Sequence, residues 1–101
     1  LQACIASLLE VALDDVPDFG TQAGQWLRFD RFMERRGIRP MEVTATKTPY
    51  SAYYLLSGVS PRGVRHVCIA LNGDMVHDPH PSGAGLEIVE RHVLFLSFAV
   101  F

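Results

Sequence analysis

The first thirteen residues, LQACIASLLEVAL, carry apolar side chains at 1, 4, 5, 8, 9, 12 and 13, the spacing of one helix face. Asp14, Asp15 and Pro17 predict its end, because the residue before a proline avoids the helical region. A second helix is expected over about 22–36. Trp26, Leu27, Phe29, Phe32 and Met33 form its apolar side, Arg35 and Arg36 suit the negative end of its dipole, and Gly37 caps it. Beyond Gly37 the period changes. MEVTAT (41–46) alternates like a half-buried strand and is interrupted at Thr48-Pro49. YYLLSG (53–58) reads as a second strand, VSPRG (59–63) as a turn-rich link and VRHVCIAL (64–71) as a third strand. Asn72-Gly73 is a strong hairpin signal, from which DMVHD returns antiparallel. Pro79, Pro81, Gly83 and Gly85 mark a loop, and LEIVERHVLFLSF (86–98) reads as one long strand or two broken ones. Helices first and an antiparallel sheet afterwards predict an α+β fold with N-terminal helices packed on the sheet. There are no internal repeats.

Length and composition narrow the classes. A chain of 101 residues, 49% apolar and 20% charged, suits one ordinary globular domain. A net charge of −2 with interspersed signs leaves no electrostatic footprint for nucleic acid. The longest apolar run, VLFLSFAVF at 93–101, is interrupted by Ser97 and falls well short of the roughly 18 residues of a membrane helix. It reads as a buried strand, so no membrane insertion is expected. Two cysteines, Cys4 and Cys68, are too few for a disulfide framework and point to a reducing, cytoplasmic compartment. No secretory leader is visible. The chain opens inside a helical pattern without Met, and reads as a domain truncated at its N-terminus.

The candidate chemistry lies in RHVCIALNGDMVHDPHPSG, 65–83. Alternation puts His66 and Cys68 on one face of their strand and Val67 and Ile69 on the other. Across the hairpin, Val76 and Asp78 share a face, and Met75 and His77 take the opposite one. A two-residue turn pairs Leu71 with Asp74, and one-for-one counting sets His66 opposite a position near 79, so Asp78 is within a residue of it. An imidazole beside a carboxylate is the geometry of an oriented general base. Its nucleophile could be Cys4, near a helix start where the dipole and free N–H groups stabilise a thiolate and an oxyanion.

LQACIASLL followed by RHVCIALNGDMVHDP resembles the bacterial papain-like cysteine peptidases, especially those that remove double-glycine leaders. The string SGVSPRGVRHV…VHDPHPSGAGL is also similar to small bacterial and phage-associated proteins of that architecture. The resemblance implies a papain-like fold, a Cys-His-Asp hydrolase with His66 as base and Asp78 as its orienter, a peptide or amide substrate and no cofactor. It also implies that the catalytic Cys directly precedes Leu1, with Cys4 one helical turn inward. The family's upstream oxyanion Gln would be absent as well, and Gln2 does not have its spacing. Two registers stay open: Cys4 as nucleophile, or a nucleophile ahead of Leu1, which leaves these 101 residues inactive by themselves.

Other readings compete. His66 could be an ordinary buried histidine, Asp78-Pro79 a strand end, and Cys4 and Cys68 inert core residues. A Cys4–Cys68 disulfide is compatible with the sequence. His66, His77, Asp78, His80 and the cysteines are metal-ligand types, yet HDPH lacks a zinc-motif spacing and His77 should face away from Asp78; no metal is assigned. His92 is expected at the surface, and Trp26 with its neighbouring phenylalanines in the core. Gly83 and Gly85 read as hinges beside the site, with loops 57–63 and 79–86 shaping the cleft. The rival function is a non-catalytic binding or accessory module that keeps the fold.

Overall fold

A computed structural model of the chain describes residues 1–20, 24–44 and 52–97, with backbone alone at Ser97. Helix α1 spans Gln2–Leu9 and a single 3-10 turn follows at Leu13–Asp15. Helix α2 spans Gln25–Glu34. Among the described residues five strands follow: β1 Ile38–Thr44, β2 Tyr54–Val59, β3 Arg65–Leu71, β4 Asp74–His77 and β5 Ile88–Ser97. They form one antiparallel sheet in the order β1-β5-β2-β3-β4. The chain is therefore α+β, with its helices before its sheet.

Helix α1 is shorter than the apolar spacing suggests. Glu10 turns left-handed at φ 57°, its N–H bonds the Ser7 carbonyl, and the Val11 N–H bonds the Ala6 carbonyl. This pair of bonds closes a helix C-terminus, usually at glycine. The apolar residues beyond it do not continue the buried face, for Val11 and Leu13 are exposed. Gln2 then ties the two pieces together by donating to the Leu13 and Val16 carbonyls. At the end of α2, Gly37 adopts φ 72° and its N–H bonds the Glu34 carbonyl, the expected cap. Leu27 departs from expectation: it is exposed, while Phe29 and Met33 are buried.

The sheet has two unlike faces. Leu55, Val67, Ile69 and Val93 pack with Cys4, Ile5, Phe29 and Met33 into the core shared with the helices. Phe29 sets its ring edge-on to Phe19, Trp26 and Phe95. Alternation puts Tyr54, Leu56, His66, Cys68, Ala70 and His92 on the other face. His92 is buried there against Tyr54, with ring centroids 5.1 Å apart, and is not a surface residue. Its flanking charges suggested exposure, but of its two strand neighbours Arg91 is exposed and Val93 lies in the core; burial pushes the His92 pKa below the ordinary value.

The segment 86–98 forms one long strand up to Ser97, bulged where Ser57 meets Arg91 and Gly58 meets Val89. Residues 98–101, the Thr48-Pro49 interruption and the start expected for the second helix at 22–23 lie outside the described residues. Among those described, no helix is long and apolar enough to cross a membrane.

Candidate active site

Strand β3 carries His66, and the β3–β4 hairpin carries Asp78 just past the end of β4. Asn72 and Gly73 both take positive φ, 54° and 89°, as the tight two-residue turn requires. Pairing starts as the sequence suggests, with Leu71 opposite Asp74 and Ala70 opposite Met75, and then slips: Ile69 lies opposite His77. Val76 is therefore an extra residue, a β-bulge. Continued one step, the register sets Asp78 beside Cys68, on the face that Cys68 shares with His66. Straight one-for-one counting would instead pair Asp78 with Val67, on the core face. Met75 and His77 accordingly do not share a face, contrary to the simple alternation, while His77 does look away from Asp78.

His66 Nε2 and Asp78 Oδ1 are 2.5 Å apart, with the carboxylate side chain only 1% exposed and the imidazole 15%. The carboxylate is well supplied with donors. The His80 N–H reaches Oδ1 at 2.8 Å and the Gly85 N–H reaches Oδ2 at 2.7 Å, while the Cys68 sulfur lies within 4.8 Å of a carboxylate oxygen. Burial alone would raise the Asp78 pKa, but the bonds from His66, His80 and Gly85 outweigh it and hold the group well below the usual carboxylate range. Pro79 to Gly85 thus form a collar that fixes the carboxylate. Gly85 sits at φ 70°, the left-handed conformation that favours glycine, with the Met75 side chain close against it. His80 in turn shares Nδ1 with the Ser82 hydroxyl at 2.8 Å.

With Nε2 engaged by Asp78, Nδ1 is the ring nitrogen left for proton transfer. His66 lines a cleft of about 790 Å³ together with Leu1, Gly24, Gln25, Trp26 and Val64. The opening of α1 and the start of α2 therefore line one cavity with residues 64–67 of β3 and the turn before it. Arg65, paired with Glu90, borders it.

The cysteines stand apart from this cleft. Cys4 is wholly buried in the core, its thiol donates to the Val67 carbonyl at 3.3 Å, and burial pushes its pKa up to about 11. Cys68 is also wholly buried, and burial together with the Asp78 charge pushes it up to about 12. Both thiols are free, with no disulfide between them. A nucleophilic cysteine needs exposure and an electropositive setting that favours thiolate, and neither has them. Of the three expected site residues, the structure brings His66 and Asp78 together and places Cys4 beneath them in the core. Sequence reasoning assigned Cys68 to the core and missed its closeness to Asp78. The signal was available in the face that Cys68 shares with His66, once the bulge is known. Compared with known protein families, with curated proteins and with solved structures, the chain matches none.

Proposed function

We propose that this domain is a papain-like cysteine hydrolase scaffold acting on a peptide or amide bond. His66 is the general base, Asp78 orients it, and the nucleophilic thiol occupies the position directly before Leu1. The observation that carries this reading is the 2.5 Å His66–Asp78 contact at the wall of a cleft that Leu1 also lines. The thiol gives its proton to Nδ1 of His66 and the thiolate adds to the substrate carbonyl. The imidazolium then returns the proton to the leaving amine, and water hydrolyses the acyl-enzyme by the same base. Free N–H groups at the first turn of α1 are suited to the oxyanion.

The burial of both cysteines supports a second reading: residues 1–101 alone are a binding or accessory module that retains the base and lacks a reactive thiol. One experiment separates the two. In a chain carrying Cys immediately before Leu1, alkylation by iodoacetamide should titrate well below the roughly 8.5 of a free cysteine, and His66→Ala should return it to that value. Equal, slow labelling of the two proteins would leave only the binding module.

A further inference from the structure

The Asp78 carboxylate gathers not only an imidazole but a thiol. One ligand-type atom each from His66, Cys68 and Asp78 lie within 4.8 Å of one another. We propose that these three side chains form a binding site for a borderline transition-metal ion of the zinc class, built on the face of β3 turned away from the helices and the end of β4.

The donor set selects the ion. One imidazole nitrogen, one thiolate and one carboxylate suit Zn²⁺ or Co²⁺ in a four-coordinate site, whereas Ca²⁺ and Mg²⁺ call for oxygen shells of six or more. Three protein ligands leave a fourth position for water beside His66, the partly exposed member of the three. The thiolate and carboxylate together balance the ion's two positive charges in a setting that is otherwise dry. The Asp78 side chain already has outer-shell support, since the His80 and Gly85 N–H groups hold its two oxygens. Ligand atoms around a tetrahedral ion with bonds of about 2.0–2.3 Å are about 3.5 Å apart. The cluster therefore closes slightly around Cys68 and opens slightly between His66 and Asp78.

The proton balance is simple. The Cys68 S–H bond breaks, its electron pair goes to the metal, and the proton leaves to solvent. The His66 ring moves its own proton from Nε2 to Nδ1, so that the Nε2 lone pair faces the ion. Burial and the Asp78 charge make that thiol proton hard to remove without a cation, and the ion's charge reverses this. Binding consequently strengthens as pH rises. A bound ion would also occupy the atoms that orient the base, and this consequence alone rests on the proposed function.

The test is a titration of the purified chain with Co²⁺, read by absorption. The expected spectrum has a thiolate-to-cobalt charge-transfer band and the intense d–d bands of a four-coordinate ion, both erased by Zn²⁺. Cys4→Ser should keep the band and Cys68→Ser should lose it. Asp78→Asn should weaken binding by at least the roughly tenfold that loss of an outer-shell partner costs. If circular dichroism shows that Cys68→Ser has not folded, His66→Gln at its partly exposed position serves instead, with the same weakening expected. A six-coordinate, aquo-like spectrum, a band that survives Cys68→Ser or disappears in Cys4→Ser, or unchanged binding in His66→Gln would overturn the site.

Discussion

Asp78 is the residue on which the local electrostatics turn. A carboxylate taken out of water costs several kcal/mol unless its lone pairs are filled, and here an imidazole and two backbone N–H groups bond them. Its folded pKa lies below the unfolded value of about 3.9. The stabilisation is therefore fully present above that pH and is lost as pH falls through and below about 4. Urea midpoints between pH about 5 and about 2 should drop more steeply for the wild type than for Asp78→Asn, which has no carboxylate to protonate. Equal slopes would mean that the carboxylate is not held as described. At this scale the sequence was informative about residue type and nearness: a strand, an Asn-Gly turn and a count brought Asp78 within a residue of His66, though the count put its carboxylate on the other face. Cys4 was not. Its place one turn into a helix is compatible with both a thiolate site and a core position, and only burial in the core with Val67 and Ile69 distinguishes them.

At the scale of elements, two bulges decide the geometry. The one at Val76 rotates the end of β4 so that Asp78 reaches the imidazole face; without it the alternation points the carboxylate into the helix-covered core. The other, where β2 meets β5, is made possible by Gly58. A Cβ there would sit 1.9 Å from the Ile88 carbonyl oxygen and 2.9 Å from its carbon. Backbone cannot yield as a side chain does, so Gly58→Ala should cost about 3 kcal/mol or more, at or beyond the upper end of ordinary overpacking. Chemical denaturation measures this directly, and a loss below about 1 kcal/mol would show that the two strands are not so tightly apposed. Neither bulge was visible in advance, because an extra residue leaves the local pattern of apolar and polar positions almost unchanged. The early end of α1 was hidden for a related reason: Ala12 and Leu13 continue an apolar spacing that the left-handed Glu10 has already broken, and both are exposed. The Gly37 cap and the Asn72-Gly73 turn were legible because glycine and asparagine take positive φ at low cost.

The whole molecule is a pair of helices laid on one side of a sheet whose other side holds the His66–Asp78–Cys68 group. That order of helices before strands could be read from the change of hydrophobic period at Gly37, and the structure has it. The strand order β1-β5-β2-β3-β4 could not, because long-range pairing depends on which faces are buried together. Phe29 joins the two layers, fully buried with its ring against Phe19, Trp26 and Phe95. Phe29→Ala should lower stability by about 3–5 kcal/mol, the range for a buried aromatic, and should loosen the α2 wall of the cleft. A loss under about 1 kcal/mol would place that ring outside the core. The account as a whole rests on the imidazole being held by Asp78 through Nε2, with Nδ1 free to work. Long-range proton–nitrogen NMR of the His66 ring above its titration tests this most directly. The account predicts the tautomer with its proton on Nε2; a ring that carries its proton on Nδ1 would contradict it.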